Sequence, residues 1–317
     1  MEKKMAESTR IQWCDSTVSP VQDCGGCQLW NVNARTFYSK ELAEENERAD
    51  TGFPGPFDRP ALLSGRMKEA ATWPDLSHAD RDRPSSPDSA ISHDAKPWLS
   101  GLPRHILISS TVDLLIEKGS SASNRDTFSD EMLFPFLKDE IIDVVQSELG
   151  SNHQWLWLTS NPQRLHEFAE YAIGQEPWPA NLWVGTSVGC NAHLSRVDAL
   201  CKFRGREVTK FVKAEPLLQE VSLLKYLKKL HWVIVGGDWS RNRRSKSFDC
   251  IWAETLIQEC AQSSVPIFVE QLGSNPTHNG KTLKVSNIRG DDAKEWPKSV
   301  RVRQMPASRA RFPQSKV

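Results

Sequence analysis

Six short apolar runs, most of them followed by a stretch of helical periodicity, fill the chain from Arg104 to Gly273. They are HILISST (105–111), QWLWLTS (154–160), NLWVGTSV (181–188), VTKFVKAE (208–215), HWVIVGG (231–237) and VPIFVEQLG (265–273). Each is continuous rather than alternating. A strand with one wet face alternates; a strand buried on both faces does not, and burial on both faces is the condition of a parallel sheet. The connecting segments read as helices over 129–150, 163–173, 191–203, 222–230 and 251–262. In the first, Ser129 suits the N-cap, Asp130 and Glu131 complement the first turn, and Gly150 suits the C-terminal stop. Pro135 falls in its early turns, where proline is tolerated better than in the middle. The repetition predicts an α/β chain folded as a partial parallel (β/α) barrel related to the TIM barrel. A doubly wound open sheet is the alternative.

Upstream, Arg10 to Trp13 reads as a first short strand feeding a cysteine loop. A polar helix is expected from about Thr36. Residues 51–103 are rich in proline, glycine and charge and read as a long irregular insertion, with one short helix within Pro60 to Trp73. Residues 301–317 form a basic tail, and 1–317 is expected to be a single α/β domain.

Of 317 residues, 40 are basic and 40 acidic, so global charge argues for neither nucleic acid nor membrane. No apolar run approaches the roughly 20 residues of a membrane helix. The N-terminal MEKKMAESTR lacks the apolar core of a signal peptide, and seven cysteines, an odd number, suit a reducing cytoplasm. Most of the twelve tryptophans read as core.

Chemistry in such sheets collects where strands end and helices begin. The residues just past each run are polar and mostly small: Cys14 and Asp15; Ser109, Ser110, Thr111 and Asp113; Thr159, Ser160 and Asn161; Thr186, Ser187 and Cys190; Lys213 and Glu215; Gly236, Gly237 and Asp238; Glu270 and Gln271. Ordinary helix capping accounts for Ser, Thr and Asp at such places equally well. Gly236-Gly237 would let a ligand approach the backbone. Glu215 is a ligand contact or an acid/base group, or pairs with Lys213 or Lys210. The pair Cys24-Gly25-Gly26-Cys27 has the spacing that lets two thiolates face one metal. Cys14 is close enough in sequence to join it, and Cys190 ends a strand on the same predicted edge.

Several of these stretches together carry a resemblance. IQWCDSTVSPVQDCGGCQLWN, then FYS (37–39), GFPGPF (52–57), KPWLSGLPR (96–104), QWLWLT, NLWVGTSV, AEPLL (214–218), WVIVGG and QLG resemble a phage- and bacterium-associated family of unassigned function with a radical-SAM-like three-cysteine motif. The resemblance implies a radical-SAM-like partial barrel, a [4Fe-4S] cluster on three cysteines, and S-adenosylmethionine at its open iron. Phe37 stands where the family has its third cysteine, so Cys24 and Cys27 would need Cys14 or Cys190 as a substitute. Ser160-Asn161 replaces a Lys-Arg pair, Ser110 and Glu270 replace charged residues of the family pattern, and Asp238 replaces a glutamate.

Two expectations follow. One is a radical-SAM-like iron–sulfur protein with Cys24, Cys27 and Cys14 or Cys190 at the cluster. The other is a degenerate barrel that binds a small molecule, a partner or a structural zinc without radical chemistry. In both, Asp113, Thr159, Glu215, Gly236, Gly237 and Asp238 form the binding edge. A weaker expectation is nucleic-acid contact through RNRRSK (241–246) and Arg301, Arg303, Arg309 and Arg311.

Overall fold

The computed structural model describes residues 9–22, 61–79, 81, 95–109, 113–115, 128–205, 207–239 and 245–307. Its main sheet has seven strands: β1 (Ser16–Val18), β2 (His105–Ile108), β3 (Gln154–Thr159), β4 (Leu182–Ser187), β5 (Lys210–Ala214), β6 (Trp232–Gly236) and β7 (Ile267–Gln271). Their order in the sheet is their order in the chain. The pairs β1 with β2, β2 with β3, β4 with β5, β5 with β6 and β6 with β7 are all parallel. A doubly wound sheet reverses its order at a switch point. This one does not, so the winding is that of a partial (β/α) barrel and the open-sheet alternative is set aside. All six apolar runs are strands, and the buried pattern is unbroken in most of them.

The chain divides into two compact units. The first holds the described residues up to Thr159 together with Arg164–Trp183. Its helices are α1 (Arg66–Ala71), α2 (Asp130–Leu137) and α3 (Pro162–Ile173), the last beginning in the second unit. After α2 the chain continues as a π-turn over Lys138–Ile142 and a short helical piece, Asp143–Val145. Trp157 of β3 packs against Phe168 of α3 with ring centroids 5.3 Å apart, and Phe134 of α2 meets the same Phe168 at 5.5 Å. The π-turn aims Glu140 inward. Its buried carboxylate accepts from the Gly65 N–H at 2.6 Å and the Met67 N–H at 3.2 Å. It thus serves the unpaired donors at the start of α1, which has no side-chain cap of its own.

The expected strand Arg10 to Trp13 is a turn; β1 starts at Ser16. Local polar chemistry moves it. Lys96 Nζ donates to the carbonyls of Thr9, Ile11 and Cys14 at 2.8, 2.8 and 2.6 Å. Those carbonyls converge on one ammonium, so they are not available to a sheet ladder. Asp15 Oδ2 accepts from the His105 N–H at 2.8 Å and pairs with Arg81 at 3.0 Å.

The second unit holds Ser160–Gln163 and Val184–Ala307, with helices α4 (Leu194–Lys202) and α5 (Cys250–Gln262). The Asp249 side chain caps α5 by accepting from the Ile251 N–H, and Cys250, Ala253, Leu256 and Cys260 form its buried stripe. Residues 222–230 were expected to be helical but form turns and one 3-10 turn, Leu227–Lys229. Nine residues are too few for a helix to hold itself. Here Leu223, Tyr226, Leu227 and Leu230 are all buried by a tight turn, and Glu259 accepts from the Leu223 N–H at 2.8 Å.

Residues 302–304 run along the outer edge of β7. The Val269 N–H donates to Val302 O at 2.8 Å, the Gln304 N–H to Ile267 O at 3.0 Å, and Trp232 Nε1 to Gln304 O at 2.9 Å. The start of the supposed basic tail therefore covers a sheet edge. Among the described residues, no helix is long and apolar enough to cross a membrane.

Candidate functional site

On β5, β6 and β7 one face carries an aromatic layer. Phe211 and Trp232 lie with ring centroids 6.0 Å apart, and Trp232 meets Phe268 at 6.2 Å. Gly185 of β4 lies beneath Phe211, whose ring occupies the space a Cβ would need. Because side chains alternate along a strand, the residues two positions on return to that face. Lys213 and Glu270 are those residues on β5 and β7, Gly236 lies four positions past Trp232 on the same face of β6, and Glu215 is one step past β5. A layer of charge thus sits on a layer of rings.

The charged residues interlock. Lys213 Nζ is 2.9 Å from Glu215 Oε2. Glu215 and Glu270 act on each other's proton affinity, lowering the first and raising the second. Arg289 Nη2 is 3.2 Å from Glu270 Oε1, and its Nε is 3.2 Å from Asp291 Oδ2. Gln271 Nε2 donates to Glu215 Oε1 at 3.1 Å and to Gly237 O at 2.7 Å. Lys213, Glu215, Glu270 and Gln271 are only 5, 8, 2 and 0% exposed. Desolvation of that depth disfavours every charge unless a partner answers it.

The three strand-end groups respond differently. Burial pushes the Glu270 carboxyl up to about 7, and the neighbouring Glu215 adds to the push against Lys213 and Arg289. Burial also works against the Glu215 carboxylate, but Lys213 and the hydrogen bond from Glu270 overcome it, and its pKa lies below the usual range. Burial favours neutral Lys213, yet the two carboxyl groups outweigh it and raise its pKa. Two carboxyl groups in contact whose proton affinities are driven apart behave as one acid/base pair.

A register shift between Val269 and Gln271 lets both Glu270 and Gln271 reach this network, although consecutive strand residues normally face opposite ways. The Gly236-Gly237 pair serves crowding. A Cβ on Gly236 would lie 2.8 Å from Gln271 Nε2 and 2.9 Å from the Glu215 carboxyl carbon. On Gly237 it would lie 2.3 Å from Leu272 O, and the Gly237 N–H already donates to Gln271 O at 3.2 Å. At both glycines the close neighbours are the protein's own groups. Asp238 accepts from the Lys246 N–H at 3.0 Å, and its carbonyl accepts from the Ser274 N–H at 3.0 Å, so it shapes the turn.

Arg289 was not among the residues singled out from sequence. It arrives on a turn in which Asn287 Oδ1 accepts from the Arg289 and Gly290 N–H groups at 3.0 and 2.9 Å. The turn is stitched to the end of β7 by Leu272 N–H to Gly290 O and Gly273 N–H to Arg289 O, both 3.0 Å. Its guanidinium lies 5.0 Å from the ring of Trp239. No spacing rule announces this residue; only its place beside Glu270 does.

In the first unit, Thr159 Oγ1 donates to Asp113 Oδ1 at 2.8 Å, so those two expected site residues meet. Cys14 stands two residues before β1, at the amino end of that strand, and its side chain is fully buried. The sequence expectation set it past a strand's carboxyl end, and the three carbonyl bonds to Lys96 explain the difference. Cys190 does follow the carboxyl end of β4, half-buried, at the start of the turn Asn191–His193. The two cysteines fall in different units. Cys24, Cys27, Phe37, Ser110, the helix expected from Thr36, most of RNRRSK, Arg309 and Arg311 lie outside the described residues. Among the described residues no three His, Cys, Asp or Glu side chains are grouped to hold a metal ion.

The motif residues stand in the order the fold uses them, and the comparison with family models agrees over nearly the whole length. The chain belongs to the family described as "Protein of unknown function (DUF5131)", whose model matches residues 8–300. No curated protein and no solved structure matches it. In this DUF5131 protein the match takes in both units and every residue of the Lys213–Glu215–Glu270–Arg289 network. Arg301 stays exposed while its guanidinium meets neighbouring carbonyls, and Arg303 is half-buried. Arg301 donates to Trp296 O and Lys294 O, and Arg303 lies over the rings of Phe268 and Trp296.

Proposed function

We propose that the protein is a ligand-binding (β/α) protein whose small-molecule ligand engages the carboxyl ends of β5, β6 and β7. The single observation that supports this is the interlocked, almost wholly buried network of Lys213, Glu215, Glu270, Arg289 and Gln271 at those ends. Burying two carboxyl groups side by side is unfavourable for folding alone, and groups with displaced proton affinities concentrate at functional sites. Lys213 and Arg289 hold the carboxyl groups in place, Gln271 orients Glu215, and Glu270 gains or loses a proton near neutrality. The test is native mass spectrometry of the full chain after incubation with a small-molecule extract. The wild-type protein should retain a discrete added mass that folded Lys213→Met loses. No retained species from any extract would refute the reading.

The iron–sulfur reading is second. It is favoured by the resemblance and by one fact of chain order: Cys24 and Cys27 follow β1, six and nine residues after Val18. The described residues do not complete the set. Cys14 is buried at the amino end of β1, and phenylalanine at position 37 cannot bind iron. Anaerobic purification with iron, sulfide and zinc analysis decides between the readings; stoichiometric iron and sulfide, lost in Cys24→Ala, would favour the cluster.

A further inference from the structure

We propose that Asn279 is a site of spontaneous chemical modification, where the side-chain amide is lost as ammonia through a succinimide formed with Gly280, and that His278 assists the step. No residue of the carboxyl-edge network takes part.

Asn279-Gly280 is the one Asn-Gly step in the sequence. It forms the two-residue turn of a hairpin in the second unit. Pro276–His278 pairs antiparallel with Lys281–Thr282, and His278 stands opposite Lys281. Both turn residues have positive φ, 53° and 72°, the turn type that matches strand twist and that asparagine and glycine enter most readily. The reaction needs the Gly280 nitrogen to reach the Asn279 side-chain carbonyl carbon. A side chain on the following residue, a hydrogen bond from its N–H, or burial away from water would each hinder that approach. Gly280 has no side chain, and nothing lies within 4 Å of where a Cβ would sit. Its N–H donates to no backbone carbonyl among the described residues, and both turn residues are exposed.

The atoms balance with water alone. The Gly280 nitrogen bonds to Asn279 Cγ and gives its proton to solvent. The Cγ–Nδ2 bond breaks, and the nitrogen takes a proton from water and leaves as ammonia. Water then opens the ring at either carbonyl. One opening gives aspartate at 279, and the other carries the main chain through the side-chain carbon as isoaspartate.

His278 stands where it can help. Its Nε2 is 3.0 Å from Glu254 Oε1 on α5, an oxygen that also accepts from Ser299 Oγ. A carboxylate only accepts, so that Nε2 carries the hydrogen. Asn279 Nδ2 is 3.4 Å from the same Nε2. Two N–H donors do not bond, and the two ends of an amide are alike in shape, so the amide turns to offer Oδ1. The imidazole N–H then faces the oxygen on which negative charge develops as Gly280 attacks, and a donor there lowers the barrier. Isoaspartate adds one atom to the main chain of a turn that closes on two residues. It therefore disturbs the register of His278 with Lys281 and the contact of His278 with α5.

The experiment is timed incubation of the full chain at mildly alkaline pH, followed by peptide mass mapping and enzymatic methylation of isoaspartate. Asn279 should convert to aspartate and isoaspartate before any other asparagine of the chain. In His278→Ala, with folding checked by circular dichroism, conversion should be about fivefold slower, the rate equivalent of one modest hydrogen bond. In urea the two chains should react at closely similar rates, because the imidazole is held in place only by the folded hairpin. An intact amide at 279 while other asparagines react, or equal rates for the two folded chains, would overturn the proposal. So would a fivefold difference that persists in urea, since it would belong to the local sequence and not to the fold.

Discussion

Glu270 is the residue on which the site's chemistry turns. Its carboxyl is held at about 7 by burial and by Glu215, against an ordinary value of 4.5. Folded protein therefore binds this proton more tightly than unfolded chain does. The resulting stabilisation is fully present below about pH 4.5 and is lost as pH rises through about 7, with a total on the order of 3 kcal/mol. Glu215 acts in the opposite sense: its pKa is lowered, so its contribution is present above the usual carboxylate range and lost as pH falls below it. Glu270→Gln keeps the neutral form at every pH. Urea denaturation should find it more stable than wild type above pH 7 and should show the decline between pH 4.5 and 7 removed. An unchanged decline would place that proton elsewhere. The residue types at this site were legible in sequence, since Lys213, Glu215, Glu270 and Gln271 all fall at the ends of apolar runs. Their mutual contact was not, because it depends on strand register.

Among elements, the strands followed from sequence and the connections did so unevenly. Continuous apolar runs have one stable use here, as strands covered on both faces, and all six are strands. The segment 222–230 has an apolar pattern that fits a helix on spacing, yet its leucines are buried by turns, because tertiary burial overrides a weak local preference. The first strand was displaced by Lys96, whose ammonium gathers three carbonyls from 9–14; that lysine lies more than eighty residues away in the chain. The strip 302–304 on the edge of β7 was likewise invisible as a strand partner. It predicts an outcome: a chain stopped at Val300 should expose the β7 edge and the Trp232 indole N–H. Light scattering should then show concentration-dependent association absent from the full chain. A monodisperse truncated chain of unchanged stability would mean that the edge needs no cover.

For the whole molecule, thiol burial offers a readout of global opening. Cys14, Cys250 and Cys260 are buried, and burial pushes the thiols of Cys250 and Cys260 up to about 12. Thiolate is the reactive form, so these three should label only through unfolding, with rates that follow denaturant, while half-buried Cys190 and Cys201 label earlier. Peptide mass mapping after timed alkylation checks this; early labelling of Cys14 would contradict its place at the amino end of β1. Taken alone, the sequence determined the α/β class, the parallel strands, their number in the repeating part and the family. Those properties are written in local apolar patterning and in motif order, which need no knowledge of contacts. The tertiary structure alone decided which polar groups share one desolvated layer, because a one-residue shift at Val269–Gln271 and a turn at Asn287 bring Gln271 and Arg289 to carboxyl groups more than fifty and nearly twenty residues away.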